Sequence, residues 1–214
     1  MGNNPKLLLV EDMDTQGAII GLMRHHINWG NSKDEWPILI DSLGSSSKVL
    51  NKRLLDVRLK QSDLNTLGLI VDADSDFDSR WNTVRDICSS LGGTPPPTFP
   101  ENGLILDIKG PVRFGVWIMP NNKSSGMIET FCQNLVPDNA KHSWSFAREC
   151  VDEARKKGAT YKDAHVDKSH IHTWLAWQDP PGERIGIAFT KGFLDPNAPT
   201  ATQFVQWFRE LFQC

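Results

Sequence analysis

The sequence predicts an α/β protein whose mainly parallel β-sheet is flanked by helices and followed by extra C-terminal helices. Short apolar runs alternate with helical patterns along residues 1–140, which is typical of parallel βα units. The run LGLIVD (67–72) has no polar residue before its final Asp, as expected for a strand that is covered on both faces. Residues 141–214 are mostly helical in pattern. We therefore expect a single domain over residues 1–214, with the helical extension packed on the core.

The first half of the chain contains three predicted strands. KLLLV (6–10) is the first, and the helix that follows it is predicted to start with Thr15 as its N-cap. WPILID (36–41) is the second strand, and SSSKVLNKRLLDVRLK (45–60) is predicted to form one basic helix. The third strand is LGLIVD (67–72), and the amphipathic helix after it is expected to stop at the following glycine pair.

The second half of the chain continues the pattern after a proline-rich loop, GGTPPPTFPENG. Two strand-like runs follow the loop, GLILDI and RFGVWIMP. Helices are predicted at GMIETFCQNLV, at SWSFARECVDEARKKG, around KDAHVDKSHIHTWLAWQD and at the C-terminal TATQFVQWFRELF. The sequence shows no internal repeat.

The composition limits the possible partners and compartments. The formal net charge is −3 over 214 residues, so no overall basic field attracts nucleic acid, and any such affinity must come from a local surface. One candidate surface is the basic helix, with Lys48, Lys52, Arg53, Arg58 and Lys60. The four cysteines form no CxxC pair and are expected to be thiols in a reducing cytoplasm.

The chain is expected to be a soluble cytoplasmic protein that has no membrane partner. Its N-terminal apolar run is too short and too closely followed by acids to be a signal peptide. No stretch approaches the roughly 18 uncharged apolar residues that a membrane span needs.

Carboxylates follow two of the predicted strands at the point where each strand ends. Glu11 comes directly after the first strand, and Asp72 ends the third. Asp74 follows two residues later in a segment that is expected to be extended, so it is predicted to point to the same side as Asp72. If these strands are neighbours in a parallel sheet, the three acids converge at one edge, where such charge is tolerated when a divalent cation neutralises it. Hard oxygen ligands of this kind select Mg²⁺ or Mn²⁺. The two later acids, Asp76 and Asp78, are expected to start the next helix.

The segment DADSDFD has two other interpretations. An EF-hand loop requires Gly at its sixth position and Glu at its twelfth, where this chain has Phe77 and Thr83, so that interpretation is excluded. A phosphatase of the haloacid-dehalogenase type also places DxD after an apolar strand, and its aspartate would attack small phosphomonoesters. The resemblance to that class covers only LIVDAD, and it stays open as an alternative.

The spacing of LLLVED and LGLIVDADSD resembles the Toprim domain of topoisomerases, primases and OLD-type nucleases. The segments VWIMPNNKSSGMIE and HIHTWLAWQDPPG look like those of stand-alone Toprim proteins, so the resemblance extends from Lys6 to Asp195. It implies a Toprim-like, Rossmann-like sheet in which Glu11, Asp72 and Asp74 bind metal and act in catalysis. The chain departs from the usual Toprim pattern at one position, since Asp12 stands where many of these domains have Gly.

Further ligands are implied by the OLD-type nucleases. Asp14 resembles an additional acid that these nucleases place shortly after the Toprim Glu. SSGMIE matches the ends of a second ligand segment at Ser125 and Glu129, although Met127 replaces its middle acid. These nucleases also use a lysine C-terminal to the acids, for which Lys168 is the candidate and Lys191 the reserve.

The resemblance implies hydrolysis of nucleic acid, DNA or RNA, with one or two Mg²⁺ or Mn²⁺ ions. Two ions roughly 4 Å apart activate a water and stabilise the departing oxygen of a phosphodiester. Water is the expected nucleophile, because the single tyrosine, Tyr161, lies in a polar segment. OLD-type nucleases couple Toprim to an ATPase, and this chain has no GxxxxGK[ST] loop of its own, so the resemblance implies a separate ATPase partner and a role in phage defence. It also implies a homodimer, which is common among Toprim nucleases. A catalytically weak, metal-binding interaction module is a further alternative.

Overall fold

The computed structural model describes residues 4–108 and 110–214. Its strands are β1 (Lys6–Val10), β2 (Leu39–Ser42), β3 (Thr66–Asp72), β4 (Leu104–Asp107) and β5 (Arg113–Met119). Its helices are α1 (Met13–Met23), α2 (Ser46–Val49), α3 (Lys52–Leu59), α4 (Phe77–Ser90), α5 (Ile128–Gln133), α6 (Lys141–Lys156), α7 (Val166–Leu175), α8 (Ile185–Thr190) and α9 (Pro199–Phe212). Three short 3-10 turns, Lys33–Glu35, Asp138–Ala140 and Asp163–His165, lie between them.

The strands form one sheet in the order β2-β1-β3-β5-β4. β1 pairs in parallel with both β2 and β3, and β3 pairs in parallel with β5. The edge strand β4 is the exception, since it runs antiparallel to β5. The prediction of an α/β fold with a mainly parallel sheet is confirmed. Because β1, β3 and β5 are adjacent and parallel, their carboxyl ends lie at the same edge of the sheet.

Each face of the sheet is covered by its own apolar cluster. One cluster joins β3 to α4 and includes Leu67, Leu69 and Trp81. The other joins the opposite face to α1 and to the C-terminal helices, with Leu8 and Ile70 among its strand residues. The alternation of Leu69 and Ile70 between clusters is the period of two expected for a strand, and burial of both faces explains why LGLIVD is apolar throughout.

The C-terminal helix α9 lies against the sheet above two glycines. Gly68 of β3 and Gly115 of β5 are partners in the strand register, and a Cβ at either position would come within 3.1 Å of a Leu211 side-chain carbon. The helix buries Phe204, Trp207, Phe208, Leu211 and Phe212 almost completely. Since burial of one large apolar side chain contributes about 1.5–3 kcal/mol, these contacts are a major attachment of the helical extension to the sheet.

Several local expectations were wrong. Asp12, and not Thr15, caps α1, because its side chain accepts a hydrogen bond from the backbone N–H of Thr15 at 2.8 Å. The predicted single basic helix is broken into α2 and α3 at Asn51, whose side chain caps α3 by accepting from the Leu54 N–H at 3.1 Å. Helix α8 was not predicted at all.

Helix α8 packs on α1 through glycine backbones. The Cβ of an alanine at Gly186 would lie 2.4 Å from the carbonyl oxygen of Gly17, and one at Gly21 would lie 2.3 Å from the carbonyl oxygen of Gly186. Only glycine permits this approach of the two helices. In the part of the chain that the structure describes, no helix has both the length and the apolar character needed to cross a membrane.

Candidate metal centre

The ends of β1 and β3 bring two of the predicted acids together. Glu11 follows the last residue of β1, and Asp72 is the last residue of β3. The Oε1 atom of Glu11 accepts a hydrogen bond from the backbone N–H of Asp72 at 2.9 Å. The parallel pairing of the two strands therefore produces the convergence that their sequence positions predict.

Asp72 lies at the centre of a group of carboxylates. Burial raises its pKa well above the usual value for Asp, and the charges of Glu11, Glu129 and Asp74 raise it further, in that order of size. Its Oδ1 atom accepts a hydrogen bond from the backbone N–H of Ile128 at 3.1 Å. That neutral donor offsets only part of the cost of a buried negative charge, so this carboxylate is a strong candidate for a cation ligand.

Glu11 shares this electrostatic environment. Burial raises its pKa, and the hydrogen bond from Asp72 and the positive charge of Arg80 act in the opposite direction. The net direction is upward because the charges of neighbouring acids add to the effect of burial. Both strand-end carboxylates are therefore held in an environment that disfavours their ionised forms.

Asp74 is placed by a turn and not by an extended segment, which corrects the assumption behind its predicted orientation. Its φ angle is +56°, in the left-handed region. Its backbone forms an isolated bridge with Gly126, with N–H to oxygen distances of 2.9 and 2.7 Å in the two directions. The Oδ2 atom of Asp74 accepts a hydrogen bond from Nη2 of Arg80 at 2.6 Å. Asp74 is therefore paired with Arg80, and its charge also raises the pKa of Asp72.

The bridge to Gly126 also brings the segment SSGMIE to the acids. Glu129, in the first turn of α5, is only 3% exposed and lies close enough to Asp72 to raise its pKa. Ser125 is exposed, and its hydroxyl donates to the carbonyl oxygen of Ser75 at 3.1 Å. Glu129 thus joins the carboxylate group, whereas the Ser125 hydroxyl is engaged with the backbone beside it.

Lys168 of α7 lies between two of the predicted acids. Its Nζ atom is 3.1 Å from Oε1 of Glu129 and 3.5 Å from Oδ2 of Asp14. Burial acts to lower the pKa of Lys168, but the two carboxylates outweigh it, and the pKa lies above the usual value. The reserve candidate, Lys191, is exposed at the end of α8. The structure therefore places Lys168 at the acids from a position 96 residues after Asp72 in the chain.

The other acids and bases serve local structure. Asp76 caps α4 by accepting from the Ser79 N–H at 3.0 Å, and Asp78 is exposed in the first turn, as expected from the sequence. On the basic surface of α2 and α3, two cations are neutralised by acids: Lys52 by Asp56 at 2.6 Å and Arg58 by Asp41 at 2.7 Å. The free positive charge of that surface is therefore smaller than the sequence indicates.

Four carboxylates of the centre, Glu11, Asp72, Asp74 and Glu129, are the hard oxygen donors that suit Mg²⁺ or Mn²⁺. In residues 4–108 and 110–214, no three His, Cys, Asp or Glu side chains are close enough together to form a ready-made metal site. One reason is visible in the geometry, since the carboxylate of Asp74 is turned to Arg80. The donor chemistry fits a divalent cation, and the side chain of Asp74 would have to leave Arg80 to bind one.

Two cavities flank the carboxylates. A groove of about 640 Å³ shares Asp74 with the centre and is lined further along by Ser125, Met127, Val166 and Asp167. Its volume is in the range of sites that accept small organic molecules or one nucleotide. A smaller pocket of about 220 Å³ also has Asp74 in its lining, together with Arg80.

Arg80 is the residue of this centre that sequence reasoning missed. The sequence gives little indication that Arg80 belongs to this site. It follows Asp74 by six residues and lies near the start of a predicted helix, where an arginine is ordinarily expected on the surface. Only the turn at Asp74 brings the two side chains together.

Comparison with known proteins gives a family. A family model described as "Protein of unknown function (DUF3226)" matches residues 5–213, which is nearly the whole chain. No curated protein and no solved structure matches the chain. The chain belongs to the DUF3226 family.

Proposed function

We propose that this protein is a metal-dependent phosphodiesterase that hydrolyses nucleic acid. The observation that carries the proposal is the position of Asp72, whose partly buried carboxylate is surrounded by those of Glu11, Glu129 and Asp74 at the carboxyl edge of a parallel sheet. Ligands of α/β proteins bind at this edge. An arrangement that costs stability in the absence of a cation is typical of a functional site.

The proposed ligands of Mg²⁺ or Mn²⁺ are Glu11, Asp72 and Asp74, with Glu129 beside them. A divalent cation held there supplies charge for activating water and for stabilising the leaving oxygen of a phosphodiester. The resemblance of LLLVED and LGLIVDADSD to the Toprim pattern supports the same assignment. Asp14 and Ser125 are proposed as outer ligands. Asp14 contacts Lys168, which also contacts Glu129, and Ser125 lines the groove beside Asp74.

Lys168 is proposed to stabilise the negative charge that develops on the phosphate. Its ammonium group lies 3.1 Å from the buried carboxylate of Glu129, so this ion pair holds it at the edge of the carboxylates. A cation that is preorganised in this way acts on the transition state without a further cost of reorganisation. In the metal-free protein the same group neutralises Glu129 and Asp14.

The groove beside Asp74 is the proposed path of the nucleic acid. Its apolar residues, Met127 and Val166, would contact the sugar or base next to the scissile phosphate, and Ser125 would contact polar groups. Overall charge does not draw a polyanion to this protein, since the net charge is −3. Binding is therefore expected to depend on the metal centre itself. The resemblance to OLD-type nucleases adds a separate ATPase and a homodimer as proposed partners.

The proposal is tested by incubating the purified protein with labelled DNA and RNA in the presence of Mn²⁺ or Mg²⁺. We expect cleavage by the wild type, loss of at least 100-fold in Asp72→Asn and Glu11→Gln, and normal cleavage by Asp78→Asn, which removes an exposed acid from the same segment. Undiminished cleavage by Asp72→Asn would overturn the assignment.

Two other outcomes separate the alternatives. Release of phosphate from small monoesters without cleavage of polymers would favour the phosphatase. Absence of both activities, together with thermal stabilisation by Mn²⁺ that Asp72→Asn removes, would favour a metal-binding interaction module.

A further inference from the structure

Arg80 is a positively charged residue that lies among the four carboxylates. The proposed hydrolysis gives it no role. It lies in the first turn of α4, and its Nη2 atom is 2.6 Å from Oδ2 of Asp74. The Arg80 side chain is 15% exposed and that of Asp74 is 55% exposed, so the guanidinium lies inside the surface while the acid faces solvent. Its charge also acts on Glu11.

This position is unfavourable for a cation unless acids surround it. The first turn of a helix carries partial positive charge, which disfavours Arg and favours Asp or Glu. In addition, the Nε atom of Arg80 is buried and has no hydrogen-bond partner in the described part of the chain. Burying an unsatisfied donor costs about 1–3 kcal/mol. No side-chain or backbone group of the described residues therefore uses the Nε donor of Arg80.

The small pocket beside Arg80 has the dimensions and polarity for a phosphate group. It encloses about 220 Å³, and hydroxyl-bearing residues Ser75, Ser79 and Thr83 line it together with Arg80. Asp74 and Asp76 line it as well, so its charge does not suit an anion while both acids are free. The Asp76 carboxylate is committed to the cap of α4. The cap fixes Asp76 in the lining of the pocket, so Asp74 is the acid whose side chain can turn away from Arg80 to a divalent cation and make room there for an anion.

We propose that Arg80 is a substrate-positioning residue with two successive partners: the Asp74 carboxylate in the metal-free protein, and a backbone phosphate of the nucleic acid once Asp74 binds the divalent cation. The inference rests on the proposed function and assigns a role to the same site. Guanidinium suits the second partner, because its planar group of donors binds phosphate oxygens in pairs. The exchange also prevents phosphate from binding productively before the metal centre is complete.

The first test is binding of Mn²⁺ alone, measured by the electron paramagnetic resonance signal of the free ion. Arg80→Gln removes the competing cation, so we expect roughly threefold to tenfold tighter binding of Mn²⁺ than in the wild type. Arg80→Lys keeps the charge and should stay near the wild-type affinity. Arg85→Gln, which removes one positive charge five residues further along the same helix, is the matched control and should change the affinity by less than about twofold.

The second test is the kinetics of oligonucleotide cleavage at saturating Mn²⁺. Arg80→Gln and Arg80→Lys should both raise KM at least tenfold, with a smaller effect on kcat, because lysine does not reproduce the planar group of donors. A variant that keeps metal affinity and loses substrate affinity separates this role from a structural one. Circular dichroism at 222 nm checks that each variant is folded, and Arg80→Lys carries the test if Arg80→Gln is not.

The outcomes distinguish this inference from the function on which it rests. If the wild type binds no Mn²⁺ at the acids, the proposed function fails, and the inference fails with it. If the wild type binds Mn²⁺ and cuts nucleic acid, but Arg80→Gln has the same Mn²⁺ affinity and the same KM, only the role of Arg80 is overturned.

Discussion

Replacing Asp72 with Asn is expected to stabilise the metal-free protein and to abolish the proposed hydrolysis. The carboxylate of Asp72 is held near those of Glu11 and Glu129, and burial disfavours its charge. Asparagine has the same shape, and its amide oxygen can keep the hydrogen bond from the Ile128 N–H. Its amide group can also donate to a neighbouring carboxylate, which the charged Asp72 side chain cannot do.

The expected gain is about 2 kcal/mol in the free energy of unfolding at pH 7.5, since an incompletely compensated buried charge costs a few kcal/mol. For a chain of this size, that corresponds to a rise in Tm of roughly 4–8 °C. The gain should shrink as the pH falls. The folded-state pKa of Asp72 is raised, so Asp72 takes up a proton in the folded wild type as the pH falls through that pKa, and the cost of its buried charge disappears. The variant has no such charge, so its stability does not change for this reason.

Urea denaturation from pH 8 to pH 5, with and without Mn²⁺, measures both effects. Mn²⁺ at 100 times its dissociation constant should stabilise the wild type by about 2.7 kcal/mol and should leave Asp72→Asn unchanged. The control, Asp78→Asn, removes an exposed acid from the first turn of α4 and should cost less than about 1 kcal/mol. Destabilisation of the metal-free protein by Asp72→Asn, or an effect of this substitution that does not change with pH, would contradict the predicted cost of the Asp72 charge.

Three further predictions concern the surroundings of the centre. Lys168→Met leaves Glu129 buried without its cation and should cost about 1–3 kcal/mol in urea denaturation, whereas the exposed Lys191→Met should change stability by less than about 0.5 kcal/mol. Gly186→Ala places a Cβ 2.4 Å from a backbone oxygen of α1, so Tm should fall by at least about 5 °C in calorimetry; an unchanged Tm would contradict the close packing. Burial lowers the pKa of His170, so the wild type should lose stability as the pH falls below about 6.5. His170→Gln should reduce that loss, and identical profiles of stability against pH for the two proteins would contradict this role of His170.

The strands of the candidate metal centre could be predicted from sequence because their signals are local. KLLLV is bounded by a proline and an acid, and the observed β1 matches it residue for residue. LGLIVD ends at Asp72 in both the prediction and the structure. Parallel pairing of the two strands then brings Glu11 to Asp72, so this part of the centre follows from pattern and topology together.

The turns and caps were less predictable because several residues compete for each role. In EDMDT, three residues can cap a helix, and Asp12 has the position from which its side chain reaches the Thr15 N–H. Between α2 and α3, Asn51 offers a cap that outweighs the continuous helical pattern. Helix α8 has six residues including Gly186, and it is stabilised by contact with α1 that no local pattern indicates.

The cations of the centre depend on tertiary structure. Arg80 reaches Asp74 only because the backbone of Asp74 adopts a positive φ angle and pairs with Gly126. Lys168 reaches Glu129 and Asp14 from α7. Family resemblance indicated Lys168, but neither helical period nor spacing could show which acids it contacts.

We propose above all that the carboxylates at the ends of β1 and β3 bind a divalent cation. The most direct measurement is the anomalous diffraction of a crystal soaked in Mn²⁺, with Asp72→Asn crystals treated in the same way. We expect a Mn²⁺ peak in contact with Glu11 and Asp72, the Asp74 side chain turned away from Arg80 towards the ion, and no peak in the variant. A wild-type crystal without Mn²⁺ at these carboxylates, or with the ion bound equally in the variant, would contradict the claim.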